Sequence, residues 1–128
     1  MPKDTQPAIV VIDDNPDHLA LVETMLTRSG YAAIGFGKAA AALGYIEHQP
    51  VSLIITDIYM PDMDGIELLR CLRQAFPTLP VIAISGSDRS PDGFLLKAME
   101  TFGAQAVLTK PLDAAALTQT IARLVDTR

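Results

Sequence analysis

Cysteine is almost absent from this chain. Cys71 stands alone, so neither a disulfide nor a metal staple is expected to hold the fold, and a reducing compartment suits it. Positive charge is also short: 10 Lys and Arg face 15 Asp and Glu, for a net charge of -5. Proteins that grip a phosphate backbone do so with basic patches, which argues against direct nucleic-acid binding. Long apolar runs are missing, with nothing near the ~18 residues of a membrane span. The opening MPKDTQPAIV lacks the apolar core of a secretion signal, so a cytoplasmic location away from the membrane is expected. Linkers and low-complexity segments are missing too. What remains is one domain, residues 8–128, behind a tail of residues 1–7, and an apolar content of 49 % lets it bury a core of its own.

What is present is an alternation of short apolar runs with helical stripes. Ala8 to Ile12, Leu53 to Asp57, Val81 to Ser85 and Ala106 to Thr109 read as strands, unbroken by the polar alternation of a half-exposed sheet. Ala32 to Phe36 is small and glycine-interrupted, which suits an edge strand. Between them run helices. Asp14 or Asn15 can cap the first, with Pro16 in its opening turn, a stripe of Leu19, Val22, Met25 and Leu26, and a stop at Ser29-Gly30. Ala39, Ala42, Leu43 and Ile46 mark the second. The third runs from Ile66 to Phe76 with Leu69, Leu72 and Phe76 inward and Cys71 expected as a small buried apolar residue. Ser90-Pro91-Asp92 starts a fourth, whose Leu95, Ala98, Met99 and Phe102 form the buried stripe before Gly103 ends it. Asp113 caps the fifth, with Leu117, Ile121, Leu124 and Val125 on one face.

Five strand–helix alternations with right-handed crossovers give an α/β fold: a doubly wound five-stranded parallel sheet with helices on both faces. In the flavodoxin-like order 2-1-3-4-5 the first and third strands are neighbours at the switch point, where ligands bind. Four of the five strands then end in polar residues on one edge: Asp13 and Asp14, Asp57, Ser85 and Lys110. Taken singly, each has a bland reading as a helix cap, turn former, loop hydroxyl or solvated cation. Together they make a chemical proposal. Converging carboxylates repel one another and need a cation to stay ionised, and oxygen donors select a hard ion such as Mg²⁺. Metal and lysine together could neutralise an incoming phosphoryl group, Ser85 could donate to it, and an aspartate is a competent nucleophile toward phosphorus.

The motifs VIDDNP, IITDIYMPDMDGIELL, VIAISG and GAQAVLTKPLD, in that order and spacing, resemble the receiver domain of two-component response regulators over Ile9 to about Val125. The resemblance implies that Asp57 is the phosphoacceptor, Asp14 a direct Mg²⁺ ligand, and Asp13 a ligand largely through water. The backbone carbonyl of Tyr59 would complete the protein's ligands. Lys110 would hold a phosphoryl oxygen, Ser85 would move toward it, and the Lys110-Pro111 peptide would be cis. The phosphoryl donor would be a sensor histidine kinase or a histidine phosphotransfer protein, with output through a partner protein or through a longer chain. Tyr59 and Ser87 occupy the variable positions flanking the phosphate. Two positions depart from the family pattern: Val107 stands where a Tyr or Phe is common, and Leu112 where a Phe is common. A switch without that ring is expected to work through Gly86 to Gly93 instead.

Two rival readings remain. A phosphatase with an aspartyl nucleophile needs a second acid two residues on, where this chain has Tyr59. A receiver-like module that is never phosphorylated would not need Asp13, Asp14, Asp57 and Lys110 together.

Overall fold

Strands covered on both faces need apolar side chains at every position, and the strands of this sheet meet that demand from opposite sides at once. The computed structural model describes residues 7–85 and 94–125. In chain order the elements are β1 (Ala8–Ile12), α1 (Pro16–Arg28), β2 (Ala33–Phe36), α2 (Ala39–His48), β3 (Val51–Asp57), α3 (Gly65–Ala75), β4 (Val81–Ser85), α4 (Phe94–Thr101), β5 (Ala106–Thr109) and α5 (Ala114–Val125). The strands pair in parallel in the order β2-β1-β3-β4-β5, so β2 is the edge strand its small residues suggest.

Alternate residues of each inner strand serve two separate cores. Val10, Ile12, Ile54 and Ala83 join α2, α3 and α4 on one face. Ile9, Val11, Ile55 and Ile82 join α1 and α5 on the other. Full burial of one such side chain contributes about 1.5–3 kcal/mol, so two faces per strand supply most of the driving force. Helix ends are set by local chemistry. Asn15 caps α1, its side chain accepting from the Asp17 and His18 N–H groups, with Pro16 at the first helical position. Asp64 caps α3 through the Glu67 N–H. Gly103, at φ 108, turns the chain out of α4, as a left-handed terminator requires.

Several expectations need correction. Strand β3 begins at Val51, two residues before Leu53, and α3 at Gly65 rather than Ile66. Cys71 is exposed, not buried. The inward arc of α3 is made by Gly65, Leu68, Leu69 and Leu72, and at about 100° per residue Cys71 lies roughly a third of a turn from its centre. Phe76 falls one residue past the helix and is only half-buried against the core. Phe102 is 46 % exposed, because α4 ends at Thr101 and only Met99 of its stripe is fully buried among the side chains described. The expected helix start at Ser90-Pro91-Asp92, the Gly86 to Gly93 stretch, Ser87 and the Leu95 side chain lie outside what is described.

Candidate functional site

Sheet register alone assembles the site. Ile12 pairs with Thr56, so the next residues, Asp13 and Asp57, leave adjacent strands at the same level. Asp57 pairs with Ile84, and Ser85 with Thr109, so Ser85 and Lys110 leave the sheet beside them. Backbone bonds fix these exits: Asp13 N–H donates to Phe36 O at 3.0 Å, Ile58 N–H to Ile84 O at 3.0 Å, and Lys110 N–H to Ser85 O at 2.8 Å. The Lys110-Pro111 peptide is cis.

Asp13, Asp14 and Asp57 place carboxylate oxygens within 4.8 Å of one another, Asp13 and Asp57 buried and Asp14 exposed at the mouth. Lys110 Nζ bridges the two buried acids, 3.1 Å from Asp57 Oδ2 and 3.4 Å from Asp13 Oδ2. Partial burial works against the lysine's charge. The hydrogen bond and charge of Asp57, with those of Asp13, nonetheless hold its pKa above the ordinary lysine value. Asp57 Oδ1 accepts from the Tyr59 N–H at 3.1 Å, which leaves the carboxylate oriented from both ends. Ser85 is 1 % exposed, and among the described residues its Oγ has no hydrogen-bond partner. A buried hydroxyl without a partner costs stability, so its presence at the strand end calls for a ligand it can meet. Three carboxylates against one lysine leave two negative charges, and an all-oxygen donor set fits a hard divalent cation.

The sequence matches the response regulator receiver domain family over residues 9–122. The chain belongs to that family. It is similar to the transcriptional regulatory protein GlrR of Escherichia coli, 33 % identical over 113 residues, which cover 88 % of this chain and 25 % of GlrR. It is also similar to the sensor histidine kinase GacS of Pseudomonas protegens, 29 % identical over 90 % of this chain and 13 % of the kinase. Among solved structures, the receiver domain of NtrX from Brucella abortus superposes with a TM-score of 0.85 at 29 % identity, covering 94 % of this chain and 99 % of that one. The chain thus spans a quarter or less of these two full-length relatives.

The receiver carries two residues at this edge whose roles cannot be read from their spacing. His18, in the first turn of α1, brings Nδ1 to 2.5 Å from Asp13 Oδ2, while its Nε2 is buried without a hydrogen-bond partner among the described residues. Asp62, in the turn between β3 and α3, accepts from the Ala39 and Ala40 N–H groups at 3.2 and 3.1 Å. It thereby caps α2, whose own N-cap residue Lys38 makes no side-chain cap bond. Those backbone donors, the Ala40 N–H first, hold the pKa of Asp62 below the usual carboxylate range. The receiver's described residues contain no helix long and apolar enough to cross a membrane.

Proposed function

We propose that this receiver domain, residues 8–128, accepts a phosphoryl group on Asp57 from the phosphohistidine of a sensor histidine kinase or histidine phosphotransfer protein, and that the acyl phosphate switches binding to an output protein. One observation carries the reading: Lys110 bridging Asp57 and Asp13 beside the buried, unpartnered Ser85 hydroxyl. The Asp57 carboxylate oxygen attacks phosphorus, the P–N bond breaks, and the imidazole leaves with the bonding pair and takes up a proton. The Tyr59 N–H keeps Oδ1 turned away, so Oδ2 is the attacking oxygen. Lys110 follows the charge from Oδ2 to a phosphoryl oxygen, and the Ser85 hydroxyl donates to another. Asp14 and Asp13, with Asp57 and the Tyr59 carbonyl, would hold Mg²⁺, which when bound supplies charge neutralisation of the phosphoryl oxygens. This is a phosphoacceptor and not a turnover enzyme, since the second acid of an aspartyl phosphatase is replaced by Tyr59.

Incubation with Mg²⁺ and acetyl phosphate, followed by intact mass, tests the proposal. One phosphoryl mass is expected on the wild type and none on Asp57→Asn. No gain on the wild type, or an equal gain on the variant, overturns it.

A further inference from the structure

Asp13 is 3 % exposed, so its oxygens depend on partners within the protein. Oδ1 accepts from the Asn15 N–H at 2.9 Å, whereas Oδ2 is shared between His18 Nδ1 at 2.5 Å and Lys110 Nζ at 3.4 Å. A carboxylate held by a backbone amide and a lysine acts as an acceptor, so Nδ1 carries the proton and donates. Among the described residues the ring's Nε2 has no hydrogen-bond partner, so the bond from Nδ1 to Asp13 is the polar contact that holds it. Among the described residues, the group that could hold a metal ion is Asp13, Asp14 and Asp57, and His18 meets it at Asp13.

Lys110 is the looser hold on Asp13 Oδ2, at 3.4 Å and closer to Asp57 at 3.1 Å, so His18 is the shorter contact on this oxygen before any phosphoryl group arrives. With His18 in place the oxygen keeps a near donor and the carboxylate keeps its plane. Without His18, the buried acid is left with the Asn15 N–H and the long contact to Lys110. We propose that His18 is a positioning residue for cation binding, fixing Asp13 so that it meets a divalent ion, or a water on that ion, in one orientation. The inference rests on the reading of Asp13, Asp14 and Asp57 as the Mg²⁺ site. Groups that orient metal ligands typically change metal affinity 10–100-fold, which sets the size of the expected effect.

The test uses the whole chain at one fixed pH with Mg²⁺ alone as the probe, followed by calorimetry or NMR titration. His18→Phe keeps the ring volume and removes the donor; His18→Asn keeps a donor near the place of Nδ1. The Mg²⁺ dissociation constant is expected to weaken about tenfold in His18→Phe and to stay within roughly threefold of wild type in His18→Asn. His18→Ala, which cannot clash, carries the same expectation as the Phe variant. With no metal present, hydrogen exchange at the Asn15 amide reads the orientation of Asp13 directly and should quicken in Phe and Ala but not in Asn. Equal affinity in wild type and Phe, or equal weakening in Phe and Asn, overturns the inference while leaving the Mg²⁺ site standing. A wild type that binds no Mg²⁺ overturns the metal reading and the inference with it.

Discussion

Lys110 balances the charge of Asp57 and Asp13 at rest, and pH tests that role. Its pKa is raised by Asp57 and Asp13 against the opposing effect of burial. A group whose folded pKa exceeds its unfolded value, about 10.4 for lysine, stabilises fully below that value and loses its contribution as pH climbs through the folded one. Denaturant unfolding followed from about pH 6.5 upward on wild type and Lys110→Ala should therefore differ in its slope against pH only above about pH 10. A difference that opens at neutral pH would mean that the lysine answers to other groups. At Asp57 the expectation concerns the acid itself. Asp57→Asn removes one of three mutually repelling carboxylates at nearly constant volume, so the fold should persist by circular dichroism and thermal midpoint while phosphoryl uptake disappears.

The turn between β3 and α3 is held from both ends, and each hold has its own signature. Gly65 donates its N–H to Ile58 O at 2.8 Å, and a Cβ there would come within 3.0 Å of the Ile58 Cα and O atoms. Backbone cannot swing aside as a side chain can, so Gly65→Ala should cost about 1–3 kcal/mol in chemical denaturation and displace the loop that carries Tyr59. Asp62→Ala removes the cap of α2 and should cost about 0.5–1 kcal/mol. The depressed Asp62 pKa places that contribution above the unfolded value of about 3.9, and it is lost as pH falls through the lower folded value. Element identity was legible in the sequence because apolar runs, Pro16, Asn15 and Gly103 act locally. The Asp62 cap was not, since its partners Ala39 and Ala40 lie more than twenty residues upstream and no local pattern records a remote cap. His18 is only five residues from Asp13, but the two straddle a strand-to-helix junction where neither period 2 nor period 3.6 relates side chains. Cys71 was misjudged on residue type, when the wheel of α3 decided its exposure.

At the scale of the molecule, the sheet order turned four separate strand ends into one constellation, and that inference needed only topology. How phosphorylation would travel from there depends on packing that topology does not specify. Val107 pairs with Ala83 across β4 and β5, and it is half-buried against the core cluster that contains Met99 of α4. A ring at this position could exchange an exposed rotamer for a buried one. A β-branched valine already packed on the core has no rotamer that travels so far. On the proposed function, the difference between states would begin at the Ser85 hydroxyl, without a partner among the described residues and offered one by a phosphoryl oxygen, which is the differential contact that a two-state change requires. The chain that follows Ser85 opens with Gly86 and reaches Gly93 through small and polar residues, so its sequence offers little apolar anchoring before Phe94. Hydrogen exchange with and without beryllofluoride, a phosphoryl mimic, should show protection changes from Gly86 to Leu96 and little change at Val107 or along α5. Changes centred on β5 and α5 would mean that the signal crosses Val107 by a shift of the strand itself, and the valine would then be a fixed part of a moving element instead of a break in the path.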